Sequence, residues 1–202
     1  GAIFFFGGRY DEDKFENDLR MVLNAYGDVG RLDAAITSTE FDYSKNGKKL
    51  FIHLSLAEGP EYHLESLDLA DNVAFRDDEL NPLVQVKPGD IHNKGQVAAD
   101  AAAIQQRYQD SGYVNARVLP QFTLDREKHT TALSHLIQEN ELKYLREVRI
   151  TGNSITRDEI VRRSILLKPG ERYDGSLRNA SDQRLESSQY FESHQLRLGP
   201  VD

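Results

Sequence analysis

Six histidines are the residues of this chain with the greatest capacity to bind a metal ion or to transfer a proton near neutral pH. They lie at positions 53, 63, 92, 129, 135 and 194. A metal site on one helix or strand usually needs a His-x-x-x-His or His-x-His spacing, and no pair of these histidines has it. Because the chain also has no cysteine, we expect no metal site and no cofactor.

Two acidic runs offer the oxygen ligands that calcium prefers. These runs are Asp11-Glu12-Asp13 and Asp77-Asp78-Glu79, and each lies where a helix is predicted to begin. Carboxylates in the first turn of a helix are stabilised by the helix dipole. Helix starts therefore explain both runs without an ion, and calcium is the less favoured alternative.

Motifs that would indicate an enzyme are missing from the sequence. It has no Gly-x-Ser-x-Gly nucleophile elbow, no phosphate-binding loop and no dinucleotide-binding fingerprint. Gly7-Gly8 and Gly152 are isolated turn glycines. We expect a protein without catalytic activity.

The charge of the chain argues against nucleic-acid binding, which needs clustered Lys and Arg against the phosphates. The net charge is -8, but the residues from Leu145 onward hold ten Lys and Arg against nine Asp and Glu. This asymmetry indicates either ordinary solvated surface or a C-terminal end near anionic lipid. The longest apolar run, Ala2 to Phe6, is far shorter than the roughly 18 residues that span a bilayer.

An internal repeat determines the organisation of the chain. Lys87-Pro88-Gly89-Asp90 recurs as Lys168-Pro169-Gly170-Glu171, and we call the offset from Lys87 to Lys168 the repeat spacing. The segment 64–69 and the turn Asp71-Asn72 likewise recur as 145–150 and Gly152-Asn153. An earlier copy precedes the middle one by nearly the same spacing, where Asp18, Tyr26, Asp28, Gly30 and Ala34 match Asp100, Tyr108, Asp110, Gly112 and Ala116.

Together the copies predict an α+β unit of the form β-α-α-β-β. A short helix over Asp77 to Gln85 ends before Pro88-Gly89, and in the last copy Thr156 to Glu159 has the pattern of a capping box. The longer helix, Lys94 to Gln109, has one apolar face. That face is formed by Val97, Ala101, Ile104 and Tyr108. We expect it to pack on a three-stranded mixed sheet that is covered by two helices.

Alternating residues predict the strands that follow each long helix. Asn115 to Leu124 alternates apolar and polar residues, and Pro120 marks an edge strand or a bulge because proline cannot donate to a ladder. The return strand runs from Thr131 to Gln138. By the repeat, His135 aligns with Leu54 on an apolar strand face, which favours a partly buried, hydrogen-bonded core histidine over a metal ligand.

Both ends of the chain hold incomplete copies. We predict a partial first domain over 1–61, a complete domain over 62–142 and a partial third domain over 143–202. The first lacks its opening strand and most of its first helix, of which Ala2 to Phe6 is the expected tail. The third stops after a second strand at 196–198. The chain is interpreted as a fragment of a longer protein.

These residues resemble POTRA domains, especially those of BamA-type outer-membrane assembly factors. Leu145 to Asn153 looks like the family's opening strand and turn, Lys168 to Asp174 like its inter-helix loop, and Tyr190-Phe191-Glu192 like its last helix-to-strand element. Glu58-Gly59-Pro60 and Gly112-Tyr113 also fit. The sequence departs from the family where Glu139-Asn140 replaces Glu-Gly and where Gln189 replaces a glycine.

The resemblance implies tandem domains at the periplasmic face of the bacterial outer membrane. Its implied partners are unfolded outer-membrane protein segments, accessory outer-membrane lipoproteins and the chain's own C-terminal β-barrel, through which alone it would contact the membrane. Nucleic acid is not an expected partner. Two alternatives stay open: a POTRA module of a two-partner secretion or translocation transporter, and a structural periplasmic spacer.

An open sheet edge offers a mechanism for binding such clients, because an extended strand can add to it by backbone hydrogen bonds. Two edges are predicted, within Ala34 to Phe41 and within Asn115 to Leu124, and the first is preferred because it has no proline. The groove between the edge strand and the long helix is expected to take apolar client side chains. The candidate edge residues are Ala35, Ile36, Thr37, Ser38, Thr39, Asn115, Arg117 and Leu119.

Overall fold

The computed structural model describes residues 10–153, 156–188 and 195–199. Within these residues, every helix is too short or too polar to span a lipid bilayer. In chain order the helices and strands are α1 Glu12–Asp28, β1 Ala35–Tyr43, β2 Leu50–Ala57, β3 His63–Ala70, α2 Asp77–Leu80, α3 Lys94–Asp110, β4 Arg117–Asp125, β5 Thr130–Gln138, α4 Asp158–Ser164 and α5 Gly175–Ser187.

The strands form two sheets. β1 and β2 pair as an antiparallel two-stranded sheet. β3, β5 and β4 form a three-stranded mixed sheet in that order, with β5 in the centre. The predicted α+β unit with β-α-α-β-β order is therefore confirmed in the middle of the chain.

The long helix α3 has the apolar face that its sequence predicts. Val97 and Ala101 are each 5% exposed, and Ile104 and Tyr108 are completely buried. Val97 belongs to a buried cluster with Leu64 of β3 and Leu133 of β5. The helix α3 therefore packs on β3 and β5 of the three-stranded sheet.

The short helix of the middle copy ends earlier than predicted. α2 stops at Leu80 and passes into a single 3-10 turn over Asn81–Leu83, instead of continuing to Gln85. The cause is Pro82, because a proline inside a helix removes a backbone donor and its ring crowds the preceding turn.

The predicted capping box at Thr156 is wrong. The residue that precedes α4 is Arg157, and its side chain makes no capping hydrogen bond. Instead, the Nδ2 atom of Asn153 donates to the Thr156 carbonyl at 3.0 Å and to Asp158 Oδ1 at 2.7 Å. Asn72 makes the same two bonds in the middle copy, to the carbonyl of Phe75 and to Asp77. Because a side-chain amide closes each turn, the hydroxyl is not needed.

Two predicted strands of the third copy do not form. Residues 145–150 and 196–198 have no strand assignment. Within the described residues no β-strand follows β5 in the chain, so 145–150 has no strand of its own copy to pair with. The segments Ala2 to Phe6 and Tyr190-Phe191-Glu192, and Gln189, lie outside the described residues.

The chain divides into two compact units. One contains the described residues up to Ala70, with Pro82–Ala101 and Pro120–His135. The other contains Asp71–Asn81, Ala102–Leu119 and the described residues from Leu136 onward. The three-domain division proposed from the sequence uses other boundaries and stays a prediction.

Two buried histidines lie in the first unit. His92 is 2% exposed and its Nδ1 lies 2.9 Å from the Thr131 hydroxyl, whereas His135 is completely buried. Among the described residues, neither ring nitrogen of His135 has a hydrogen-bond partner. The burial expected of His135 is confirmed, but its expected hydrogen bond is wrong, because its neighbours on the inner face of β5 are Leu133 and Ile137.

Burial lowers the pKa of His135, and the Asp100 carboxylate opposes this effect. The folded state thus disfavours a proton that an unfolded histidine binds with a pKa of about 6.5. The free energy of unfolding is therefore highest above the unfolded pKa, where the histidine is neutral in both states. It decreases as the pH falls below that value, because the unfolded chain gains a proton that the folded chain does not.

We therefore expect the free energy of unfolding to fall between pH 8 and pH 5, by up to roughly 1.4 kcal/mol per pH unit for each proton difference. His135→Leu should reduce this slope, since Leu54 occupies the equivalent strand position. Urea unfolding at several pH values measures it. His53→Gln, an exposed histidine, is the control, and an unchanged slope in His135→Leu would contradict the prediction.

Candidate strand-binding edges and repeat junctions

The predicted edge residues of the first copy lie on β1, which pairs on one side only. Its partner is β2, and within the described residues no other strand pairs with it. Ala35 and Thr37 are exposed, whereas Ile36, Ser38 and Thr39 are half-buried. The other side of β1 therefore holds backbone groups without a strand partner.

A β-bulge interrupts β1 at Thr37. Ile36 pairs with Leu56 and Ser38 pairs with Ser55, which leaves Thr37 as the extra residue. From Ser38 to Tyr43 the register with β2 is continuous. The regular part of this edge thus lies further along the strand than the sequence predicted.

The candidate residues of the second copy lie on β4 or directly before it. Arg117 and Leu119 are exposed residues of β4, and Asn115 is exposed just ahead of the strand. β4 is an edge strand, as Pro120 predicts. Phe122 is 43% exposed rather than buried, and its ring meets that of His92 edge-on at 5.1 Å.

A cleft of about 420 Å³ lies between the second half of α3 and the start of β4. Its lining is mostly polar, in contrast to the apolar groove expected from the sequence. The polar lining residues are Gln105, Gln109, Asn115, Arg117, Gln138 and Asn140.

Tyr62 lies in the linker between β2 of the first copy and β3 of the second, and backbone hydrogen bonds join it to both copies. The Tyr62 amide donates to the Gly30 carbonyl at 3.0 Å, and the His92 amide donates to the Tyr62 carbonyl at 2.9 Å. Gly30 follows the long helix of the first copy, and His92 precedes that of the second. Both backbone groups of Tyr62, its N-H and its carbonyl, are therefore hydrogen-bonded.

The same pair of bonds occurs at the next linker, within the second unit. The Lys143 amide donates to the Gly112 carbonyl at 2.9 Å, and the Tyr173 amide donates to the Lys143 carbonyl at 3.0 Å. The two linkers differ in side chain but not in backbone pairing. The fold therefore builds both junctions in one way.

Side chains reinforce the junction at Tyr62. Its hydroxyl donates to the Asp33 carboxylate at 2.6 Å, and Arg126 Nη2 lies 3.4 Å from the same carboxylate. The hydrogen bond from Tyr62, and after it the charge of Arg126, lower the pKa of Asp33. Asp33 is therefore an anion that links the first copy to the β-hairpin of the second.

Glu139 satisfies three donors at the end of β5. Its Oε1 accepts from the amides of Val73 and Ala74 at 2.6 and 2.7 Å, and from the Tyr108 hydroxyl at 2.9 Å. Burial, and then the bond to Glu139, raise the pKa of Tyr108. Tyr26 and Glu58 form the equivalent, longer contact of 3.4 Å in the first copy.

Asn140, which departs from the Glu-Gly of the family pattern, adopts the backbone that glycine would supply. Its φ is 57°, and that of the equivalent Gly59 is 71°. Asparagine tolerates this left-handed region better than most residues. The turn is therefore unchanged by the substitution.

The contacts of three residues near the candidate edges were not predicted from the sequence: Asp33, Gln105 and Glu139. The contact of Glu139 with Tyr108 could have been predicted, because Tyr26 and Glu58 recur as Tyr108 and Glu139 at nearly the repeat spacing. The repeat gives no such indication for Asp33 and Gln105, since their counterparts in the next and the previous copy are Asn115 and Leu23. Within the described residues no three His, Asp or Glu side chains are arranged to hold a metal ion.

Comparison with known proteins agrees with this geometry of tandem α+β repeats. The family model for POTRA, described as a surface antigen variable number repeat, matches residues 62–140 and 143–197. In the POTRA3-5 crystal structure of BamA from Haemophilus influenzae, the match covers 99% of this chain and 79% of that one, with a TM-score of 0.76 and 24% identity. The chain belongs to the POTRA family.

The chain is also similar to a part of several curated proteins. The outer membrane protein assembly factor BamA of Neisseria meningitidis is 28% identical over 194 residues, which are 96% of this chain and 24% of that protein. BamA of Buchnera aphidicola is 24% identical over 90% of this chain and 30% of its own length. This chain thus spans about a quarter of the length of these relatives.

The glycine at the second junction, Gly112, lies close to the linker. Gly112 has a φ of 94°, and an added Cβ would lie 2.8 Å from Leu142 Cδ1 and 3.0 Å from the Tyr173 carbonyl oxygen. Gly89 has a similar φ of 97°, but a Cβ there would meet nothing within 4 Å.

We expect Gly89→Ala to cost roughly 1–2 kcal/mol of unfolding free energy, the backbone penalty alone. Gly112→Ala should cost more, because it adds steric conflict with the linker. Urea unfolding of the two variants measures the difference. Equal costs would show that the close approach at Gly112 does not constrain the junction.

Proposed function

We propose that the chain is a periplasmic, non-catalytic module that binds clients and partners within an outer-membrane β-barrel assembly machine. Membership of the POTRA family supports this proposal, and so do curated relatives whose names describe assembly factors. Those names favour the assembly role over a secretion transporter. The module acts at the periplasmic face of the outer membrane.

The binding mode is addition of an extended client strand to the outer edge of β1. The observation that supports it best is that β1 is nine residues long and pairs on one side only among the described residues. Ser38–Tyr43 offers the uninterrupted part of this edge. Backbone pairing ignores most side chains, which suits a module that accepts many clients.

The partners follow from the proposed role. They are unfolded outer-membrane protein segments, accessory outer-membrane lipoproteins and a C-terminal barrel in the longer protein, through which alone the chain meets the membrane. The three-domain division at 61/62 and 142/143 belongs to the same proposal. The repeated backbone bonds of Tyr62 and Lys143 support these boundaries.

A titration of the isotopically labelled chain with an extended peptide from an outer-membrane barrel strand tests the proposal. We expect amide shifts to concentrate on Ser38–Tyr43 and on the neighbouring helix α1. The physical reason is that new interstrand hydrogen bonds change the shielding of the amides along the edge.

The control is the same peptide with every backbone nitrogen methylated, because it then has no amide to donate from either of its edges. It should produce no such shifts. Equal responses to both peptides would exclude β-augmentation, and no response to either peptide at millimolar concentration would exclude client binding by this chain.

A further inference from the structure

The first outward positions of β4 have no amide that a partner strand could use. The amide of Val118 donates to Oε1 of Gln105, a side chain of α3, at 3.3 Å. This bond joins a helix side chain to the backbone of an edge strand. A partner carbonyl would have to displace Gln105 before it could pair with Val118.

Pro120 lies two residues further along β4 and has no N-H to donate. Backbone amides two residues apart on a strand point to the same side, and proline in a sheet is restricted to the side away from the ladder. Val118 and Pro120 therefore both belong to the outward side of β4. Just before the strand begins, the amide of Ala116 donates to the Tyr113 carbonyl at 2.8 Å, so none of the positions 116, 118 and 120 can donate to a partner.

The first copy lacks both devices. At the offset that aligns Tyr26 with Tyr108, Leu23 stands in the place of Gln105, and β1 contains no proline. Leucine has no hydrogen-bond acceptor in its side chain, and without a proline every residue of β1 retains its backbone N-H. The amide of Ala34 still donates to the Arg31 carbonyl, at 3.2 Å, as the amide of Ala116 does to the Tyr113 carbonyl in the second copy.

We propose that Gln105 and Pro120 close the start of the β4 edge against strand addition, so that the second copy does not bind a strand there whereas the open edge of the first copy does. This inference rests on the proposed function, because it assumes that extended strands are the ligand. The side chain of Gln105 accepts the hydrogen bond of the Val118 amide, and Pro120 has no N-H at the next outward position. The two residues thereby determine which copy receives a partner strand.

Hydrogen exchange tests the first half of the proposal without any ligand. The Val118 amide should exchange faster in Gln105→Leu, which removes the acceptor, than in the unaltered chain. Gln105→Glu keeps an oxygen acceptor and should leave exchange within a few-fold of the unaltered rate. Equal exchange in Gln105→Leu and Gln105→Glu would overturn the role of Gln105, and the exchange of the Ile104 amide reports whether the helix itself has changed.

Peptide stoichiometry tests the second half. The unaltered chain should bind one extended barrel-strand peptide, with shifts on Ser38–Tyr43. The double variant Gln105→Leu/Pro120→Ser should bind two, with new shifts along β4. The matched control Gln105→Glu/Pro120→Ser retains the acceptor and should stay close to one.

The outcomes separate this inference from the proposed function. If the unaltered chain binds one peptide and the folded double variant still binds one, the closure of β4 is wrong and the proposed function stands. If the unaltered chain binds none but the double variant binds at β4, the closure stands and the β1 site is wrong. No binding to either chain overturns both.

Discussion

The glycines that follow α1 and α3 are the constraint on which the two junctions depend. Gly30 and Gly112 have φ values of 77° and 94°, a region that other L-residues rarely adopt. Each glycine turns the chain so that its carbonyl meets the amide of the next linker residue. Because the linker's own carbonyl is bonded to the following copy, one backbone conformation determines the path of the chain from copy to copy.

Equivalent positions in successive copies can have the same structural role with different side chains. Asp100 is buried in α3 and accepts the amides of Gln85 and Val86 at 3.0 Å. Ser181, its counterpart in the next copy and also buried, accepts the Leu166 amide at 2.8 Å. A buried backbone donor must find an acceptor, but either a carboxylate or a hydroxyl can supply it. The shared role of a position is therefore visible in the bond rather than in the residue type.

Periodic features of the fold could be predicted from the sequence, and single contacts could not. The buried face of α3 and the burial of His135 follow from helical spacing and strand alternation. The predicted end of α2 lies too far along the chain, because Pro82 ends the helix inside a stretch whose pattern is helical to Gln85. The bond from Gln105 to Val118 joins a helix side chain to a strand amide and has no periodic signature, so the closure of β4 is visible only in three dimensions.

At the first junction, the Asp33 carboxylate contacts Tyr62 and Arg126, and these two contacts respond differently to ionic strength. The side chain of Arg126 is 72% exposed, so dissolved salt screens its attraction to Asp33. The hydrogen bond from the buried Tyr62 hydroxyl to the same carboxylate is short and shielded from ions. In concentrated salt the hairpin of the second copy would thus loosen from Asp33 before the linker does, and the junction would soften at its side chains while its backbone path persists.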